Sequence, residues 1–99
     1  MTGLIIHPEV KEELLEAANW YRAIDSELGE RFLFEVFQAI RKAQGTPLRY
    51  RMIEPPYRRI LCESFPYRIV FEVIENRQVV HIVAVTHQMR HTDQWKKRL

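Results

Sequence analysis

Between Phe65 and His91 the chain reads FPYRIVFEVIENRQVVHIVAVTHQMRH, a stretch that leaves little choice of local structure. From Tyr67 to Ile74, bulky apolar Tyr67, Ile69, Phe71 and Val73 recur at every second position, the period of a strand with one buried face. Glu75-Asn76-Arg77 supplies a turn, because Asn tolerates the left-handed backbone that tight turns need. Val79 to Thr86, VVHIVAVT, is then an almost unbroken β-branched run with His81 as its one polar interruption. Such a run fits a strand covered on both faces. His87, Arg90 and His91 follow just past its last apolar residue, where side chains become available for chemistry.

Upstream, the period changes from two to between three and four. Leu4-Ile5-Ile6 is a short β-prone opening, expected to add to the main sheet, although its place there does not follow from the sequence. His7-Pro8 stops it, and Pro8 suits the first position of a helix. Val10, Leu14, Ala17, Ala18 and Tyr21 then form one apolar stripe. Asp25 and Ser26 break the pattern, and a second helix is expected over Leu28 to Gln44, with Leu28, Phe32, Val36, Ala39, Ile40 and Ala43 inward and Gly45 as C-cap. Thr46 to Pro56 reads as a loop and Tyr57 to Ser64 as a strand. The expected fold is α+β: an N-terminal strand and a helical hairpin packed on a small, mainly antiparallel sheet.

The 99 residues are enough for one domain with an ordinary core, spanning 1–99. No apolar run approaches the roughly 20 residues of a membrane span, and no signal-peptide pattern opens the chain, so a cytoplasmic protein with no membrane partner is expected. A single cysteine, Cys62, excludes an internal disulfide framework and a multi-thiolate zinc site. Glycine-rich phosphate loops and a Gly-x-Ser-x-Gly elbow are both missing. Four histidines are present, but no acid is poised with His87 and His91; neither a metal site nor a cofactor is expected.

Charge is divided along the chain. Residues 1–40 hold eight acids and three bases, net −5, while residues 41–99 hold five acids and twelve bases, net +7. An acidic helical half therefore faces a basic sheet half, and the latter can attract a polyanion or an acidic partner. The basic and aromatic set is Arg49, Tyr50, Arg51, Arg58, Arg59, Arg68, His87, Arg90 and Trp95. Arginine suits phosphate or carboxylate through its bidentate fork, and rings among arginines can stack bases; equally, the arginines can be solvated charge and Trp95 the anchor of a terminal turn. Arg58 and Arg59 are adjacent on a strand and must point to opposite faces. The sequence does not fix which is which; Arg59 is assigned to the working surface with Arg90. Trp20, Phe34 and Phe37 fall outside the inner helical stripes. Either they wrap the core generously or they form a hydrophobic groove for a partner chain.

Several of these pieces, taken in order, resemble the RelE/ParE toxin family of bacterial toxin–antitoxin modules. They are His7-Pro8-Glu9 leading into Glu16-Ala17-Ala18-Asn19-Trp20-Tyr21, Arg58-Arg59 with Phe65-Pro66-Tyr67-Arg68-Ile69-Val70-Phe71, and Val85-Thr86-His87-Gln88-Met89-Arg90 through Trp95. The resemblance implies a cognate antitoxin partner, in a hetero-oligomer, docked on Trp20, Phe34 and Phe37. It also implies a target bound through Arg49, Arg51, Arg59, Arg68, Arg90 and Trp95. RelE-like members cut messenger RNA on the ribosome, and on that branch His87 and Arg90 would be catalytic, as acid–base and phosphate ligand. The RelE pattern uses lysines and arginines on the middle strands and an aromatic or His residue near the C-terminus, whereas this chain has no lysine between Lys42 and Lys96. Its His-x-x-Arg followed by Trp is more similar to the ParE branch, whose characterised members poison DNA gyrase without being nucleases.

Overall fold

A computed structural model describes residues 3–74, 76, 78–89 and 94–98. Its elements are β1 (Gly3–Ile6), α1 (Pro8–Ile24), α2 (Ser26–Gly45), β2 (Met52–Glu54), β3 (Tyr57–Leu61), β4 (Tyr67–Ile74) and β5 (Val79–His87), with 3-10 turns at Pro47–Arg49 and Gln94–Arg98. The strands form one sheet in the order β1-β5-β4-β3-β2, parallel between β1 and β5 and antiparallel elsewhere. The helical hairpin covers one face, giving the expected α+β architecture, with β1 now placed at an edge. None of the described helices is long and apolar enough to cross a membrane.

The hairpin starts where the sequence places it. His7 caps α1, its Nδ1 accepting the Glu9 N–H at 3.1 Å, and Pro8 follows as the first helical residue. The break between the helices is tighter than expected, since α2 starts at Ser26 rather than Leu28: Asp25 alone is extended. Its N–H bonds the Tyr21 carbonyl to end α1, and its carboxylate accepts the Glu27 N–H at 2.9 Å to start α2. One residue thus serves both caps. At the far end the C-cap is Thr46, not Gly45: the Thr46 N–H bonds the Lys42 carbonyl at 3.1 Å, and no described glycine has a positive φ.

Glycine matters instead at Gly29, where the helices approach most closely. A Cβ there would fall on the Arg22 Cγ and stand 2.9 Å from the Ala18 carbonyl oxygen. Gly29→Ala is therefore expected to destabilise the fold by about 1–3 kcal/mol, despite alanine's better helix propensity. A urea titration reads it, and an unchanged midpoint would mean that the hairpin can open without cost.

Beneath the hairpin, β4 alternates cleanly. Tyr67, Ile69 and Phe71 face the helices, where Tyr21, Phe32, Phe65 and Tyr67 form a mostly edge-to-face aromatic cluster with centroids 4.8 to 6.4 Å apart. Val70 faces away and joins Val83, Ala84 and Trp95 in a second, smaller apolar cluster on the outer face. A bulge makes this possible: Val70 pairs with Ala84 but Phe71 with Ile82, so Val83 is the extra residue. Asn76 adopts a φ of 55°, as the turn reading required.

Two boundaries differ from expectation. The 46–56 segment contains the Pro47–Arg49 turn and β2, because its carbonyls are bonded in place: Arg58 Nη1 donates to the oxygens of Leu48 at 3.4 Å and Tyr50 at 2.8 Å. Strand β3 stops at Leu61, three residues early, because the Ser64 N–H turns to the Glu35 carboxylate on α2 at 2.8 Å.

Candidate functional site

Strand pairing alone assembles the basic site. Ile60 pairs with Ile69 in the helix-side core, so its neighbours Arg59 and Leu61 must face outward, opposite Val70 and Arg68. Arg59 and Arg68 are then diagonal neighbours on adjacent strands, roughly 7–8 Å apart at their base. Arg51 is brought in from β2's approach, its carbonyl accepting the Arg59 N–H at 3.0 Å. Together with Met52, Ile53, Leu61 and Gln88 these three arginines line a cleft of about 490 Å³ on the outer face. No acid lines it. Among the described residues neither Arg51 nor Arg59 has a side-chain partner, an arrangement whose self-repulsion an incoming anion relieves. The alternation also settles the Arg58–Arg59 pair geometrically: Arg59 is outward, and Arg58 spends its fork on the two carbonyls noted above.

The remaining candidates scatter. His87 is paired with Tyr67, so it lies on the helix side; its ring stands edge-on to Tyr67 at 5.2 Å, and its Nδ1 accepts the Met89 N–H at 3.0 Å. It lines a different cleft, of about 670 Å³, between α1 and the end of β5. Arg49 is exposed on its 3-10 turn and does not line the arginine cleft. Tyr50 packs inward, 6.2 Å from Phe71. Trp95 is 1% exposed, its ring edge-on to Tyr57 at 5.0 Å, so it anchors the C-terminal turn and has no free face for a target. Arg90 and His91 lie outside the described residues.

The exposed aromatics divide as well. Trp20, 66% exposed, shares the α1 cleft with Glu9, Glu12, Glu13 and Glu16. Phe34 and Phe37 are exposed on α2 and do not line that cleft. The three rings therefore do not form a single groove, because Trp20 points about 160–200° around α1 from Ala18 and Arg22, which meet α2.

Two further groups are shifted from their ordinary chemistry, Tyr57 on the outer face and Cys62 in the helix-side core. Burial, and then the charge of Glu72, push the Tyr57 phenol above its usual range, keeping it protonated. Burial, and then Glu35, raise the Cys62 thiol to about 11, which makes it a poor nucleophile at neutral pH. The arginine cleft can bind an anion in a planar, bidentate manner; among the described residues it holds no group suited to move a proton near pH 7. Sequence reading missed the apolar floor of Met52, Ile53 and Leu61. It also missed the Glu13–Arg98 pair, in which Arg98 Nη2 meets Glu13 Oε2 at 2.8 Å. A signal existed: Glu13 lies between Val10 and Ala17 beside the inner stripe, where a carboxylate requires a partner.

The hairpin on a five-stranded mixed sheet defines the class, the RelE/ParE toxin superfamily. The chain matches the family model described as ParE toxin of type II toxin–antitoxin system, parDE, over residues 4–92, and it belongs to that family. No curated protein matches significantly. Among solved structures it is similar to E. coli RelE carrying two arginine-to-alanine substitutions in the free state, with TM-score 0.61, 17% identity, and coverage of 97% of this chain and 90% of that one. The isolated E. coli RelE toxin matches with TM-score 0.60 and 17% identity over 99% and 95%. The same RelE mutant in complex with an antitoxin RelBc peptide matches with TM-score 0.57 and 17% identity over 99% and 94%. At such identity the likeness is one of fold.

Proposed function

We propose that this toxin arrests growth by poisoning DNA gyrase, that it is not a nuclease, and that a cognate antitoxin neutralises it in a hetero-oligomer. The observation that carries the reading is the separation of His87 from the arginines. RNA cleavage needs an acid–base group and phosphate ligands to converge on one linkage. Here three arginines share the outer cleft, while His87 is held against Tyr67 on the helix side. Binding without bond-breaking fits that arrangement, and the ParE family match supports it.

The antitoxin contact is assigned to the α1 cleft, where Trp20 is exposed and Glu12 and Glu16 have no ion-pair partner among the described residues. A disordered segment carrying basic and apolar side chains, folding as it docks, suits that surface. The antitoxin-peptide complex of the RelE neighbour supports a bound chain of this kind.

The second reading, a ribosome-dependent messenger RNA endonuclease, is favoured by the RelE likeness. The purified toxin decides between them in two assays, gyrase supercoiling and cleavage of messages on translating ribosomes. Inhibited supercoiling with uncut messages is expected. Arg59→Ala should lower potency at least about tenfold with little change in melting temperature, since a surface substitution moves stability by about 0.5 kcal/mol or less. Arg59→Lys should recover part of it, keeping charge without the fork. His87→Ala should retain full potency. Cut messages that His87→Ala abolishes would reverse the assignment.

A further inference from the structure

Helix α2 carries a feature that neither the core nor either cleft uses. Phe34 and Phe37, 65% and 47% exposed, stand on its solvent side, with Glu30 four residues before and Arg41 four residues after. Steps of four, three and four return all four side chains to one stripe about 60° wide, at about 100° per residue. The order Glu30, Phe34, Phe37, Arg41 is its own complement when reversed. A two-fold axis between positions 35 and 36 of two antiparallel helices sets Phe34 against the second copy's Phe37 and Glu30 against the second copy's Arg41, each pair twice.

We propose that this stripe of α2 is an isologous docking surface for a second copy of this chain. Both charges are available for the contact. Arg22 donates to Oε1 of Glu30 alone, from Nε at 3.2 Å and Nη2 at 2.9 Å, leaving Oε2 open. Arg41 is exposed and has no partner among the described residues. An unrelated occupant would need only the two rings; the symmetric placement of opposite charges at the two ends is what a self-pairing helix requires. One helix against one helix lies below the standard interface size, so the dimer is reversible.

Sedimentation equilibrium of the purified chain over roughly 1–200 μM tests this. A reversible monomer–dimer equilibrium is expected, weakened at least about tenfold by Phe34→Glu and by Arg41→Glu. The sharper arm mixes two variants. Glu30→Arg and Arg41→Glu should each be monomeric alone, because like charges then meet at both ends, yet an equimolar mixture should associate, since every cross pair is again unlike. Glu30→Arg also loses its contact with Arg22. If it melts early, disulfide cross-linking of Phe34→Cys chains with Phe37→Cys chains reads the same register, and the mixture should link at least about tenfold faster than either alone. A wild-type chain that stays monomeric throughout, a dimer that survives Arg41→Glu, or equal cross-linking rates would each overturn the proposal.

Discussion

Trp95→Ala is expected to cost about 3–5 kcal/mol of folding stability, the range for emptying a large aromatic site. The indole lies between the outer sheet face and solvent: it packs on Val70, Val83 and Ala84, and Tyr57 meets it edge-on. Only Ile53 and Tyr57, both partly buried, also pack on that cluster among the described residues, so loss of the indole exposes apolar sheet as well as leaving a void. Trp95→Phe keeps a ring and removes an N–H that finds no acceptor among the described residues, so it should cost only about 1–2 kcal/mol. Urea unfolding of both variants, with growth arrest measured alongside, separates the two roles first open to this residue. An anchor loses stability and activity together in Trp95→Ala and recovers both in Trp95→Phe. A target contact would lose activity at an unchanged unfolding midpoint.

How far the fold was legible depends on whether local pattern or distant contact decides each element. Strands β4 and β5 and both helices follow from periods of two and of three to four that no tertiary contact needs to override. Most of the missed boundaries were set at a distance. Strand β2 forms by pairing with β3, beyond a turn whose Leu48 and Tyr50 carbonyls Arg58 bonds; β3 ends where Glu35 on α2 captures the Ser64 N–H. Gly45 looked like a helix stop, yet Thr46 made the bond to Lys42. The parallel placement of β1 beside β5 is likewise a matter of topology, visible only once His7 N–H meets the Ile82 carbonyl at 2.9 Å.

The site was legible in the same proportion. Residue type singled out Arg51, Arg59 and Arg68, which line one cleft, and strand alternation reduced Arg58 and Arg59 to a choice of two. The core identity of Ile60 makes that choice, because a strand residue and its neighbour cannot share a face. His87 could not be placed from its position after an apolar run. The bulge at Val83 shifts the phase of β5 between Ile82 and Ala84, so counting by twos from Val79 leads to the wrong side. Trp20, Phe34 and Phe37 looked alike by exposure pattern, but on two helices of different orientation they serve different surfaces.

Arg98→Ala is the other large effect, expected at about 3 kcal/mol, and its reason begins with an open edge. Strand β1 ends at Ile6 opposite Ile82, so beyond that pair β5 has no strand beside it on that side. The edge is covered by side chains instead. Glu13 Oε1 accepts the Val85 N–H at 3.0 Å, and Arg98 Nη1 donates to the Val83 carbonyl at 2.9 Å. The same guanidinium holds both oxygens of Glu13, at 3.0 and 2.8 Å, and pairs with Glu9 at the rim. Its side chain is only 10% exposed, so removing it leaves a half-buried carboxylate and a backbone carbonyl without their donor. Glu13→Gln should cost less, about 1–2 kcal/mol, since an amide oxygen still accepts from Val85. The Glu13 hydrogen bond, acting against burial, raises the Arg98 pKa above its ordinary value. A raised cation contributes its full stability below the unfolded-state pKa, which for a guanidinium lies far above neutral, so Arg98's share should be constant from neutral to moderately alkaline pH. Urea unfolding of both single variants and the double variant gives the coupling directly, expected within about 0.5–3 kcal/mol for groups in one network. Strictly additive losses would mean that the two side chains cover the β5 edge independently, and that the C-terminal turn is held by Trp95 alone.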